Sequence, residues 1–137
     1  MATIDSSVLV ALFNSRHAQH GATMVWFREA IADGEPLRAP VTALAEVAWA
    51  ISEHTGDKQL ARDVATQIRH SSLFELLPVA MPLAERSMVI AAEHRVSGAE
   101  ALYLAVAETL SDRLVTLSPT LLAKGNAVVE TVSPRVG

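Results

Sequence analysis

Three carboxylates and one hydroxyl stand where short apolar stretches of this sequence give way to helix-like ones: Asp5, Glu46, Glu100 and Ser118. Asp5 ends the apolar stretch at residues 1–5. Glu46 sits among Ala45, Val47, Ala48 and Trp49, where a lone carboxylate is costly to bury, so it calls for a cation or a donor. Glu100 opens an apolar helical segment, and Ser118 closes the run at 114–117. Brought to one edge, three acids far apart in sequence offer oxygen ligands to a hard divalent ion such as Mg²⁺ or Mn²⁺. The matching chemistry is metal-assisted phosphodiester hydrolysis, in which water attacks and no protein nucleophile is required.

The elements that must position these residues alternate in type. Residues 1–5 read as a very short strand and 6–13 as a helix, with a polar break at 14–20. A second helix over 21–32, with Met24, Phe27 and Ile31 at helical spacing, stops at Asp33-Gly34-Glu35-Pro36. Residues 37–40 form a short strand. The helix at 41–55 turns Leu44, Val47, Ala48 and Ile51 to one side and ends at Gly56, placed for a left-handed cap. Residues 57–71 carry the stripe Leu60, Val64 and Ile68 of an amphipathic surface helix. A strand at 74–79 precedes two helices, one with Pro82 in its first turn and running to about residue 95, the other over 98–110. A fourth strand at 114–117, a short helix opened by Pro119 and ending at 124–126, and an edge strand at 128–132 complete the chain. Short apolar strands alternating with amphipathic helices predict an α/β sandwich with a mostly parallel sheet, in which ligands bind beyond the carboxyl ends of the strands.

Composition agrees with one compact domain over residues 1–137. Half of the residues are hydrophobic and 19% are charged, which excludes a disordered chain. The formal charge of −4 argues against a protein held to nucleic acid by bulk positive charge, while carboxylates gathered at a metal site would themselves push the balance negative. With no cysteine, disulfides, thiolate nucleophiles and cysteine-bound zinc are removed together, as fits a reducing, cytoplasmic setting. The longest apolar run, 101–107, is far short of the ~20 residues of a membrane span, so neither an anchor nor a membrane partner is expected.

Four segments carry a family resemblance: MATIDSSVLVA at 1–11, PVTALAE at 40–46, SGAEALYLA at 97–105 and LVTLS at 114–118. In this order the sequence resembles PIN-domain ribonucleases, specifically the VapC-type toxins of type II toxin–antitoxin systems. The resemblance implies a PIN-like α/β/α sandwich and a Mg²⁺-dependent endoribonuclease acting on RNA of the tRNA or rRNA class. It also implies a homodimer and neutralisation by a VapB-like antitoxin. Asp5 and Glu46 match the family's acidic positions by type. Glu100 stands where the family usually has Asp, which keeps the charge and lengthens the side chain. Ser118 stands where it usually has Asp, which deletes a charge. Asp5, Glu46 and Glu100 are therefore the expected catalytic and metal-binding residues, Glu100 directly or through water. Ser7, Thr116 and Ser118 are expected as supporting hydroxyls, Ser118 as a degenerate ligand position.

Each of these residues also has a plainer explanation. Asp5 and Ser118 fit helix N-caps, and Ser97-Gly98-Ala99-Glu100 fits a capping box. Glu46 could be a surface acid near a helix N-terminus. The five histidines read as surface or support residues, and Trp26, Phe27 and Trp49 as core or subunit interface. Arg38, Arg86, Arg95 and Lys124 are candidates for phosphate contact or an ordinary solvated surface. The rival function is a PIN-fold module that binds RNA or antitoxin without cleaving, favoured by Ser118. A phosphoacceptor role for Asp5 is disfavoured, because no acid adjoins it and no matching lysine is present.

Overall fold

The computed structural model describes residues 1–134. Five short strands, β1 (Ala2–Ile4), β2 (Leu37–Pro40), β3 (Phe74–Leu77), β4 (Arg113–Val115) and β5 (Thr131–Val132), form one sheet in the order β3-β2-β1-β4-β5, and every pairing is parallel. Seven helices join them: α1 (Ser6–Phe13), α2 (His20–Ala32), α3 (Ala43–Thr55), α4 (Lys58–His70), α5 (Met81–His94), α6 (Gly98–Leu110) and α7 (Pro119–Lys124). Helices α1 to α4 pack on one another, while α5 packs on α6 and α6 lies across β1, β2 and β4. Ala2, Ile4, Leu37, Leu114 and Val115 are all but fully buried, as expected of parallel strands covered on both faces.

The strand order fixes where a site can form. From β1 the chain moves outward to β2 and β3, then returns across the sheet to β4 and β5 on the other side of β1. The connections leaving β1 and β4 therefore diverge, and the crevice between their carboxyl ends is the topological switch point. Register places Ile4 beside Val115, so Asp5 and the residues from Thr116 to Ser118 emerge together.

Several boundaries and faces differ from the sequence reading. The edge strand shrinks to Thr131–Val132, because the amides of Val128 and Val129 bond back to the carbonyl of Gly125 and extend the turn. A Cβ at Gly125 would lie 2.9 Å from Cβ of Thr131, so only glycine lets this turn fold so tightly over β5. Gly56 takes the left-handed conformation, φ 71°, as its position suggested. In α2 the buried residues are Thr23, Trp26 and Ala30; Met24, Phe27 and Ile31 are half-buried beside them, with Phe27 stacked on Phe74 at 5.9 Å. In α4 the small Ala61 is buried with Val64 and Ile68, and Leu60 faces outward. Trp49 is 68% exposed and is not a core residue.

Charge is handled separately at the amino ends of the strands. Asp112, just before β4, is buried and held by both Arg38 Nε (3.1 Å) and Nη2 (2.8 Å), and it accepts the hydroxyl of Thr3 at 3.0 Å. The register that sets Thr3 beside Arg38 and Leu114 makes this triad possible. Arg38 is thereby committed away from the switch point and is not a phosphate contact there. Arg86 is likewise paired with Glu108 at 2.6 Å, and Lys124 donates to the carbonyl of Arg95 at 3.0 Å.

Candidate active site at the switch point

Asp5 sits at the centre of the crevice because it is at once the residue after β1 and the N-cap of α1. Its Oδ1 accepts the amide of Val8 (3.3 Å) and the hydroxyl of Ser7 (2.5 Å), and its Oδ2 accepts the hydroxyl of Thr116 (2.6 Å). The cap explanation is therefore correct as far as it goes, and it also aims the carboxylate. Burial pushes the Asp5 carboxyl up from its ordinary 3.8 to about 6; the three donors oppose this, and nearby Glu46 adds to it.

Glu46, in the first turn of α3, accepts from Ser6 at Oε1 (3.3 Å) and from Tyr103 at Oε2 (3.0 Å). Desolvation raises its pKa as well, against the lowering effect of these two donors. Tyr103 is buried on α6 and its own acidity is strongly suppressed, by burial first and then by the charges of Glu46 and Asp5. It therefore acts as a neutral donor.

Glu100 is three residues before Tyr103 on α6. The capping box forms: Ser97 Oγ accepts the Glu100 amide at 3.2 Å, and Glu100 Oε1 accepts from the amide of Ser97 at 3.4 Å and its hydroxyl at 3.0 Å. The other oxygen, Oε2, accepts the hydroxyl of Ser118 at 2.7 Å. Ser118 in turn caps α7 through the Leu121 amide (3.3 Å) and donates its own amide to Thr116 Oγ1 at 2.9 Å. Ser7 Oγ, besides donating to Asp5, accepts the amide of Leu117 at 2.9 Å and so ties α1 to the end of β4.

Each acid is thus held by hydroxyls rather than by cations. Among the described residues no lysine or arginine forms a salt bridge with Asp5, Glu46 or Glu100. Two desolvated carboxylates that repel one another and lack a cationic partner form a donor set that a hard divalent ion satisfies. Asp5 and Glu46 fit this need. Among the described residues no three histidine, aspartate or glutamate side chains come together as a ready-made metal-binding group. Glu100 is joined to Asp5 through Ser118 and Thr116. Ser6 and Tyr103 are the participants that sequence reasoning missed, although Tyr103 lies one helical turn beyond Glu100 in a segment already singled out.

A cleft of about 490 Å³ opens beside Ser7 and Ser118, with His17 and Pro119 on its walls. Nδ1 of His17 accepts the Gln19 amide at 3.0 Å, and Nδ1 of His20 bonds the carbonyl of Ala11 at 2.7 Å, in keeping with a supporting role for both. The larger cavity between α2 and β5, about 560 Å³, lies away from these acids, and its Glu35 is already paired with Arg113 at 2.5 Å.

The model of the PIN domain family matches residues 2–119, so the chain belongs to that family. No curated protein matches. Among solved structures, VapC20 of Mycobacterium tuberculosis, described as a toxin that cleaves the sarcin-ricin loop, superimposes with a TM-score of 0.75 at 20% identity, covering 90% of this chain and 95% of that one. FitAcB from Neisseria gonorrhoeae gives a TM-score of 0.71 at 17% identity, covering 98% of each chain. VapBC2 from Rickettsia felis, bound to a DNA fragment from its promoter, gives 0.68 at 14%, covering 95% of this chain and 97% of that one. At these identities the likeness establishes the fold.

Proposed function

We propose that this PIN domain is a metal-dependent endoribonuclease, the toxin of a toxin–antitoxin pair. The observation that carries the reading is the desolvated pair Asp5 and Glu46, unpaired with any cation among the described residues, at the switch point of the sheet. Asp5 and Glu46 would hold Mg²⁺ or Mn²⁺, with Glu100 contributing directly or through water. Bound there, such an ion would supply Lewis-acid chemistry, polarising a phosphodiester and lowering the pKa of an attacking water. The chain's own work is to keep both carboxylates ionised and oriented: Ser7 and Thr116 hold Asp5, while Ser6 and Tyr103 hold Glu46. The structure named as a sarcin-ricin loop cleaving toxin supports an RNA substrate, and that of VapBC2 supports a VapB-like antitoxin; a homodimer belongs to the same proposal.

Incubating the protein with total cellular RNA and Mn²⁺ or Mg²⁺, beside Asp5→Ala, tests this directly. Cleavage by the wild type and none by the variant is expected. Ser118, with no charge where the family usually carries Asp, favours the second reading, a PIN module that binds RNA or antitoxin without cutting. RNA binding with no cleavage at any metal concentration would select it.

A further inference from the structure

We infer that Ser118 is a positioning residue for Glu100, so that the two departures from the family pattern work as one unit. An ordinary capping box uses a glutamate only to reach back to its own helix terminus. Here that contact occupies Oε1 alone, and Oε2 is drawn across to the end of β4 by the Ser118 hydroxyl at 2.7 Å. Ser118 is itself fixed, by its amide on Thr116 Oγ1 at 2.9 Å, and Thr116 donates through the same oxygen to Asp5 Oδ2 at 2.6 Å. An unbroken set of hydrogen bonds therefore links the Glu100 carboxylate to Asp5. The hydroxyl supplies a donor to a carboxylate that would otherwise rest over α6, and the length of glutamate lets one side chain span both contacts. Partners of this kind that orient a metal-binding group alter affinity without touching the metal.

This rests on the metal-site reading above, and its test is separable from cleavage. The probe is Mn²⁺ titrated calorimetrically into the metal-free full chain. Ser118→Gly removes the donor while leaving N-cap energetics nearly intact, since glycine is itself an acceptable cap. It should weaken Mn²⁺ binding about tenfold. Ser118→Thr, which restores the hydroxyl, should bind within about threefold of wild type, a rescue that a purely structural role would not require. In a Glu100→Gln background, Ser118→Gly should produce no further loss, because its effect passes through the Glu100 carboxylate. Such coupling supports the inference whether or not the wild type cleaves RNA, so absence of cleavage would remove the nuclease reading and leave this one standing. Wild-type affinity in Ser118→Gly, an undiminished loss in the Glu100→Gln background, or no Mn²⁺ binding by the wild type would each overturn it.

Discussion

The Tyr103 hydroxyl donates to Glu46 Oε2 at 3.0 Å, joining α6 to α3 across the crevice. This bond costs Tyr103 little, because a buried phenol needs a partner in any case. For Glu46 it fixes one oxygen and leaves Ser6 to fix the other. Tyr103→Phe should therefore weaken Mn²⁺ binding about tenfold while lowering stability by only about 1 kcal/mol. Calorimetry and urea unfolding on the same variant separate the two effects.

The raised Asp5 pKa makes the metal-free protein pH-sensitive in a definite direction. Because the folded carboxyl titrates near 6 and the unfolded one near 3.8, the native state binds more protons between those values. Stability from this group is full below about pH 4 and is lost as pH rises through 6. The loss is on the order of 3 kcal/mol, from the separation of the two pKa values. Urea unfolding in chelator from pH 4 to 8 should show the decline, Asp5→Asn should shrink it to the part that the raised Glu46 pKa contributes, and Mn²⁺ at pH 7 should reverse it in the wild type.

At the opposite edge of the sheet, Arg38→Ala would leave Asp112 buried with only the Thr3 hydroxyl. Breaking a buried pair by removing one partner costs about 3–5 kcal/mol. Denaturant unfolding should register that loss. Mn²⁺ affinity of the folded fraction should stay at the wild-type value, since this triad does not touch the carboxylates of the crevice.

A carboxylate pair without a cation is also a receptor for a guanidinium fork. The antitoxin of the proposed pair is expected to insert an arginine between Asp5 and Glu46. Asp5→Asn combined with Glu46→Gln should then weaken the complex at least tenfold in a surface-binding assay, and added Mn²⁺ should compete with the antitoxin for the wild type. Unchanged affinity in the double variant would place the antitoxin elsewhere.

Legibility from sequence varied with the range of the interaction that decides each feature. Strand β2 and helix α6 could be read to the residue, because Pro36 and Pro40 punctuate the first and the Ser97 capping box opens the second. Glu46 was readable because apolar flanks mark a carboxylate that must be satisfied, and Asp5 because it ends the first strand. The donors that satisfy Glu46 were not readable: Ser6 and Tyr103 reach it across tertiary contacts that leave no local pattern. Nor was the commitment of Arg38 to Asp112, which depends on strand register. In α2 the stripe Met24, Phe27 and Ile31 does pack against the core, half-buried, while the fully buried line beside it, Thr23, Trp26 and Ala30, is set by packing that hydrophobicity alone does not rank.

Strand β5 has two residues and α7 only six, so the segment from Ser118 to Pro134 is the thinnest part of the sheet's margin. Segments with few ladder bonds are the first to open in sub-global fluctuations, well below the free energy of global unfolding. Since Ser118 begins that segment, each such opening would also release its grip on Glu100. Amides from 121 to 132 should accordingly exchange with deuterium much faster than those of β1, and a ligand seated in the crevice should slow them even without touching them. The acidic crevice would then be coupled to the breathing of its own edge, giving any partner that clamps α7 a means of acting on the acids from outside.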